Sequence, residues 1–237
     1  MTHTSASLAK LIGATLEGSP EVVIDGVSAA NVANESQLTF ITSTAYAQQW
    51  LESSGTVAIV GNKVNCSDVE FGDKTILLVD NPDLAMAKVL ELFALPEDTP
   101  ELGIHESCAV DPTARIGTDV RIGPFVRIGK NVTIGNGCAI QSNVHIGMEA
   151  SIGASTFLHS GVSIGSFCSV GSRCIFYANV VIGADGFGYR PAEDGSHLVK
   201  MIHVGNVEIH DEVEIGALST VDRGKFSATI VGKGTKI

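Results

Sequence analysis

The chain has 237 residues, of which 44% are hydrophobic and 5% aromatic, and its formal net charge is −11. This length and aliphatic content suit one or two globular domains, and the acidic balance argues against nucleic acid or an anionic membrane surface as the main partner. No apolar run approaches the roughly 18 residues of a membrane span, and the first residues lack the basic and apolar regions of a signal peptide. We therefore expect a cytoplasmic protein.

Residues 1–100 predict a small α/β domain. The stretch "SLAKLIGATL" at 7–16 has apolar residues at helical spacing, and Asn81 followed by Pro82 is a typical helix start. Short strand-like runs lie between these helices, at 22–24, 38–41, 56–60 and 75–79. The stretch "LPEDTPELG" at 95–103, with two prolines and three acidic residues, is typical of a linker and leads into a second domain over 101–237.

The stretch "LTFITSTAYAQQW" at 38–50 predicts a strand that ends near Phe40 and a helix that is capped by Ser43 or Thr44. Tyr46 falls in the first turn of that helix. Two aromatic rings then flank a helix N-terminus, where they could hold a planar base while free N–H groups receive a phosphate. The residues alone leave open the simpler alternative, in which both rings are core or half-buried side chains.

A six-residue repeat occupies the second domain. Every sixth residue from Ile104 to Ile182 is Ile, Val or Leu in thirteen of fourteen cases, and Gly follows in nine of them. The residue two positions earlier is small or β-branched in most hexads. This pattern predicts a hexapeptide β-helix, in which the glycines permit the left-handed φ that we expect at the corners. An ordinary β-sandwich would not hold a strict six-residue register for so long.

The cysteines follow the same register. Cys108, Cys138, Cys168 and Cys174 all fall two positions before an aliphatic residue, where a buried free thiol serves as a small apolar group. No CxxC pair exists, so we expect no metal site of the zinc-knuckle kind and a reducing compartment. Cys66 has no predicted role.

The stretch "GADGFGYR" at 183–190 interrupts the repeat. The spacing from Ile182 to Ile209 is not a multiple of six, so a loop must be extruded between them. Because the coils themselves offer only flat faces, we expect this loop to build a cleft; a surface insertion without function is the alternative. The candidate cleft residues are Gly183, Asp185, Gly186, Phe187, Gly188 and Tyr189.

An α/β domain with "TF…Y", a hexapeptide helix, "GADGFGY" and "EIGALSTVDRG", in this order, resembles the UDP-3-O-acylglucosamine N-acyltransferases of lipid A biosynthesis. The likeness runs along essentially the whole chain. It implies a left-handed helix, a homotrimer with active sites between chains, and no tightly bound cofactor. The implied acyl donor is a 3-hydroxyacyl thioester on the phosphopantetheine of acyl carrier protein, and the implied acceptor is the 2-amino group of UDP-3-O-acylglucosamine.

The resemblance also implies functional residues. Phe40 and Tyr46 match the two aromatics that stack on uracil, and Ser43 and Ala45 stand where the family usually has Asn and Lys. The general-base His of the family would fall beyond Ile237, so we expect residues 1–237 to contain no catalytic residue. Only His203 and His210 are candidates to substitute for it.

Two alternative functions stay open at this point. The chain could be a noncatalytic truncated paralogue or fragment that binds a UDP-sugar and forms a trimer. More remotely, it could be a zinc-dependent trimeric β-helix enzyme, because histidines at corners of such prisms can hold a metal between subunits.

Overall fold

The computed structural model describes residues 2–64 and 71–237. The chain divides into two compact units, Met1–Pro96 and Glu97–Ile237. The division falls inside the proline-rich stretch at 95–103. Cys66 lies outside the described residues.

The first unit is a five-stranded sheet with helices on both faces. The strands of this unit are β1 His3–Thr4, β2 Thr15–Glu17, β3 Val23–Ile24, β4 Gly26–Val27, β5 Gln37–Ile41, β6 Val57–Gly61 and β7 Thr75–Val79. The order of strands in the sheet is β2-β7-β6-β5-β4. Strands β4, β5, β6 and β7 are parallel to one another, and β2 pairs antiparallel with β7. The helices are α1 Ser5–Ile12, α2 Thr44–Glu52 and α3 Pro82–Phe93. The short strands β1 and β3 form a separate antiparallel pair.

Local capping sets the bounds of these helices. The Asn81 side chain accepts a hydrogen bond from the backbone N–H of Leu84 at 3.1 Å, and Pro82 is the first helical residue of α3, as predicted. The prediction that the first helix continues to residue 16 is wrong. Gly13 adopts the left-handed conformation at φ 69° and ends α1, because only glycine enters that region without strain. Leu16 consequently lies in β2.

The sheet of the first unit buries a different apolar set on each face. Val57 and Ile59 of β6 pack with the buried side chains of α1 and α3, whereas Ala58 and Val60 pack with Trp50 of α2. This alternation is the period-two pattern of a strand that is buried on both sides. Trp50 is fully buried, so α2 is fixed on its face of the sheet.

The second unit is a left-handed parallel β-helix, as predicted. Among the described residues it forms three six-stranded parallel sheets, and until residue 182 each coil passes through one strand of each sheet in turn. The first sheet contains β8 Gly103–Ile104, β11 Arg121–Ile122, β14 Ala139–Ile140, β17 Phe157–Leu158, β20 Ile175–Phe176 and β25 Glu214–Ile215. The second contains β9 Ala109–Val110, β12 Arg127–Ile128, β15 His145–Ile146, β18 Ser163–Ile164, β21 Val181–Asp185 and β26 Thr220–Arg223. The third contains β10 Arg115–Ile116, β13 Thr133–Ile134, β16 Ser151–Ile152, β19 Ser169–Val170, β24 Val207–Ile209 and β27 Thr229–Val231.

The core of the β-helix is the predicted stack of aliphatic and small side chains. Cys138, Cys168 and Cys174 are buried and Cys108 is half-buried, and all four are free thiols. Burial raises the pKa of the Cys138 thiol, and the thiol donates a hydrogen bond to the carbonyl of Gly153 at 3.1 Å. These thiols therefore act as apolar core groups.

The predicted reason for the repeat glycines is wrong. The left-handed corner positions carry non-glycine residues such as Asp119, Phe125 and Asn131, at φ between 55° and 58°. The glycine after each aliphatic residue is instead required for close stacking of coils. A Cβ on Gly129 would lie 2.8 Å from the backbone nitrogen of Met148 on the next coil. Space between coils, and not φ, excludes a side chain there.

Candidate functional site

The predicted nucleotide-binding residues lie where β5 meets α2. Ser43 is the N-cap of α2, and its Oγ accepts a hydrogen bond from the backbone N–H of Tyr46 at 3.4 Å. The backbone N–H groups of Thr44 and Ala45, in the same turn, have no partner within the described residues. Such N–H groups at a helix N-terminus favour an anion.

The two aromatic side chains of this junction are open to solvent. Phe40 is 38% exposed and Tyr46 is 50% exposed. Phe40 is the register partner of Ile59 and so shares the sheet face of α1 and α3, whereas Tyr46 belongs to α2 on the opposite face. The two rings do not contact each other, and they stand on either side of the edge where the parallel strands end. Ligands of parallel α/β sheets bind at this edge.

The predicted cleft loop is extruded between β21 of the second sheet and β24 of the third. Val170 pairs with Ile209 on the next coil, and the stretch of chain between them is more than twice as long as one regular coil of three hexads. The excess leaves the prism, and part of it forms an antiparallel hairpin of β22 Tyr189–Pro191 and β23 Leu198–Lys200. The structure thus brings the predicted residues 183–189 together at the base of the hairpin.

Two basic residues hold the base of the loop. Arg223 donates from Nε to the carbonyl of Gly183 at 2.8 Å and from Nη2 to the carbonyl of Ser166 at 3.1 Å. Lys200 Nζ lies 2.8 Å from Asp185 Oδ2, and this hydrogen bond is the main cause that lowers the pKa of the Asp185 carboxyl. The "DRG" and "GADGFGY" stretches, which are far apart in the sequence, therefore meet in one site.

His203 fills the inside of the loop. Its side chain is buried, with 8% of the residue exposed, and its Nδ1 atom has no hydrogen-bond partner within the described residues. A Cβ on Gly188 would lie 2.8 Å from His203 Cε1, and a Cβ on Gly186 would lie 3.4 Å from His203 Nε2. The two glycines thus make room for the imidazole, whereas Gly183, at φ 85°, is the one of the three that needs a left-handed backbone. Sequence reasoning missed this contact.

Apolar side chains surround the loop on its open side. Phe187 is 89% exposed, and its ring lies 5.3 Å from that of Tyr189. Arg223, which holds the base of the loop, also lines a cleft of 540 Å³ together with the exposed side chains of Phe167, Val204 and Phe226. This cleft can receive an alkyl chain, because the chain would bury its apolar surface against these side chains.

His210 lies elsewhere on the β-helix. It is exposed after β24 and lines a cleft of 350 Å³ with Asp211 and Lys233. His203 and His210 therefore do not form one site.

Neither a metal-binding cluster nor a membrane-spanning helix is present among the described residues. No group of three or more His, Cys, Asp or Glu side chains in residues 2–64 and 71–237 is placed to hold a metal ion. None of the described helices combines the length and the apolar character that crossing a membrane requires.

The sequence of this chain is similar to two family models and to known acyltransferases. The family model described as UDP-3-O-(3-hydroxymyristoyl) glucosamine N-acyltransferase, LpxD, matches residues 21–92, and the model of the GMPPB C-terminal domain matches residues 104–187. The UDP-3-O-acylglucosamine N-acyltransferase 1 of Francisella tularensis subsp. holarctica is 40% identical over 239 residues, which cover 100% of this chain and 69% of that protein. The UDP-3-O-acylglucosamine N-acyltransferase of Methylacidiphilum infernorum is 48% identical over 237 residues, which cover 100% of this chain and 66% of that protein.

Among solved structures, perosamine N-acetyltransferase from Caulobacter crescentus, in complex with CoA and GDP-perosamine, is 18% identical with a TM-score of 0.42, covering 67% of this chain and 65% of that one. The identity of 40% and 48% to these two relatives extends along the whole of this chain and, together with the match of residues 21–92, shows the family. The chain belongs to the UDP-3-O-acylglucosamine N-acyltransferase family of lipid A biosynthesis.

Proposed function

We propose that this chain serves the transfer of a 3-hydroxyacyl group from acyl carrier protein to the 2-amino group of UDP-3-O-acylglucosamine, in the cytoplasm. The observation that carries the proposal is the identity of 40–48% to relatives of that name along the entire chain. In this reaction the amine nitrogen attacks the thioester carbonyl, the C–N bond forms and the C–S bond breaks. A base takes one proton from the nitrogen, and the phosphopantetheine thiol leaves.

The nucleotide part of the acceptor would bind at Phe40, Ser43 and Tyr46. Both rings are exposed, so they are available for stacking on a planar base without any rearrangement of the core. The free N–H groups at the start of α2 would receive a phosphate oxygen. The Ser43 hydroxyl is engaged as the helix cap, so its contribution to the nucleotide would be smaller than that of a longer Asn side chain.

The acyl chains would lie at the extruded loop. The exposed Phe187 and the cleft lined by Phe167, Val204 and Phe226 supply apolar surface. Arg223 and Lys200 hold the loop base in place from two sides. We propose that this fixed base positions the apolar wall against the reacting groups.

We expect neither His203 nor His210 to act as the general base. The His203 side chain is buried, with its Nδ1 atom unpartnered among the described residues, while His210 lies in another cleft. These positions favour a second candidate function, in which residues 1–237 bind the UDP-sugar without turning it over efficiently.

We also propose that the chain forms a homotrimer. Large apolar side chains project from corners of the prism, where Phe125 is 66% exposed and Leu218 is 76% exposed. Exposed apolar surface of this kind marks contacts with another chain. Sedimentation at micromolar concentration should give three times the 24.7 kDa chain mass, and a stable monomer would contradict the assembly.

An acyl-transfer assay tests the proposed function. It would combine the protein, UDP-3-O-acylglucosamine and a 3-hydroxyacyl carrier protein, and would follow the N-acylated product. Product at the 2-amino group, even in trace amounts above the reaction without protein, supports the proposal. If the chain neither forms product nor binds UDP-3-O-acylglucosamine, the proposal is wrong.

A further inference from the structure

A groove of 570 Å³ runs along the second sheet of the β-helix. Ala109, Arg127 and His145 are register partners on three successive coils and line this groove side by side. The methyl group of Ala109 is too small to cover the guanidinium of Arg127, so the space next to it stays open. Lys130 and Ser166 line the same groove from the corner that follows these strands, two coils apart.

The groove contains two cations without a direct partner. Arg127 and Lys130 are exposed, and neither side chain has a hydrogen bond or ion pair within the described part of the chain. Arg121, at the same position of the preceding hexad, instead donates to the carbonyl of Pro100 at 3.1 Å. The lack of a partner for Arg127 therefore follows from its location in the groove, because an arginine at the same hexad position elsewhere does have one.

The groove also contains one carboxylate, so its two cations leave an excess of one positive charge. The Asp111 carboxylate accepts hydrogen bonds from the hydroxyl and the backbone N–H of Thr113 at 2.6 and 3.0 Å. These bonds, and to a smaller extent the charge of Lys130, lower the pKa of the Asp111 carboxyl. His145 stands beside Arg127, and partial burial, followed by the charge of Arg127, lowers the pKa of its imidazole. A neutral imidazole adds a hydrogen-bond donor to the groove without adding another positive charge.

These groups suit a tetrahedral oxyanion. Arg127, Lys130, His145 and Ser166 all line the same open groove, and phosphate oxygens accept hydrogen bonds from a guanidinium, an ammonium, an imidazole N–H and a hydroxyl. The excess positive charge of the groove, in a chain of net charge −11, attracts anions to this place. A carboxylate would use only part of this donor set.

We propose that the groove formed by Arg127, Lys130, His145 and Ser166 binds the phosphate group of a phosphorylated ligand. Two compounds of the proposed reaction carry this chemistry, the diphosphate of a sugar nucleotide and the phosphate of a phosphopantetheine arm. The groove needs no nucleobase, so it does not depend on the site at Phe40 and Tyr46. A failure of the nucleotide site would leave this proposal standing.

Titration of the full chain with inorganic pyrophosphate tests the proposal, with the imidazole resonances of His145 as the readout. Saturable shifts and a rise of the His145 pKa are expected, because a bound anion stabilises the imidazolium. Arg127→Gln should weaken binding at least about tenfold, since it removes hydrogen bonds to a charged group. Arg115→Gln is the matched control, because Arg115 is exposed at the same hexad position on another sheet, and it should change the affinity less than about twofold.

Further titrations with UDP-N-acetylglucosamine and coenzyme A identify the source of the phosphate. The compound that displaces pyrophosphate from His145 in the wild type, and fails to bind the groove in Arg127→Gln, is the ligand class. Both arginines are exposed, so both variants should unfold at the wild-type temperature, which excludes loss of fold as the cause. The proposal is overturned if the His145 resonances do not move, if both Arg variants bind pyrophosphate equally, or if neither compound competes.

Discussion

Replacement of Gly188 by Ala should destabilise the extruded loop through a clash with His203. The added Cβ would lie 2.8 Å from His203 Cε1 and 3.4 Å from the carbonyl oxygen of Met201. His203 is buried and has little room to withdraw. Overpacking of this kind costs about 1–3 kcal/mol, which lowers the unfolding temperature by about 2–4 °C per kcal/mol in a chain of this size.

A double-mutant cycle separates this clash from other effects of the alanine. His203→Ala removes the ring that Gly188→Ala strikes, so the double variant should recover at least about 1 kcal/mol relative to the sum of the single changes. Gly232→Ala is the control, because a Cβ there meets nothing within 4 Å and should be neutral. Thermal unfolding followed by circular dichroism measures all four variants.

A local measurement completes this test. The backbone N–H of Met201 donates to the carbonyl of Gly188 at 2.8 Å, so its hydrogen exchange should become faster in Gly188→Ala and recover in the double variant. Wild-type stability and exchange in Gly188→Ala, or an absence of coupling with His203→Ala, would refute the steric reason for this glycine.

Three further predictions concern the cap, the loop base and the chemistry. Ser43→Ala should cost about 0.5–1 kcal/mol of unfolding free energy by urea titration, because α2 loses its N-cap, whereas Ser43→Asn should keep the cap and tighten nucleotide binding. The lowered pKa of Asp185 means that its pairing with Lys200 contributes stability above the ordinary carboxyl pKa of 3.8, and this contribution is lost as pH falls through the lower folded value. Lys200→Met should therefore make loop hydrogen exchange less dependent on pH below about 4, and an unchanged pH profile would contradict the pairing. Acyl transfer should not depend on either histidine, so His203→Ala and His210→Ala should leave the rate unchanged; loss of turnover in one of these variants would identify that histidine as the general base.

The repeat was the part of the fold that the sequence could predict best. Residues six apart have the same role in a β-helix. The six-residue spacing from Ile104 to Ile182 therefore predicts the coils, and it assigns Cys138 to an inward position in the core. The bounds of isolated elements were less certain, because one residue decides them. Gly13 ended a helix that the apolar spacing alone would continue.

The reason for a glycine could not be read from its place in the repeat. Glycine at position 129 could be required either by a left-handed φ or by a lack of space for a side chain. The short distance from a Cβ at this position to the next coil shows that the lack of space is the reason. The contact between Gly188 and His203 lies in an extruded segment without periodicity, so no spacing rule connects the two. The grouping of Arg127 with Lys130 was missed for the same reason, because a corner residue is outside the register of the strand positions.

Calorimetric titration of the chain with UDP-3-O-acylglucosamine tests the central claim most directly, because recognition of this acceptor defines the proposed function. We predict saturable binding that weakens by about 1–3 kcal/mol in Phe40→Ala and in Tyr46→Ala, as for other bases stacked on aromatic rings. Tyr177→Ala is the control, since Tyr177 is an exposed tyrosine of the β-helix, and it should bind like the wild type. Absence of binding, or an affinity that neither Phe40→Ala nor Tyr46→Ala changes, would contradict the account.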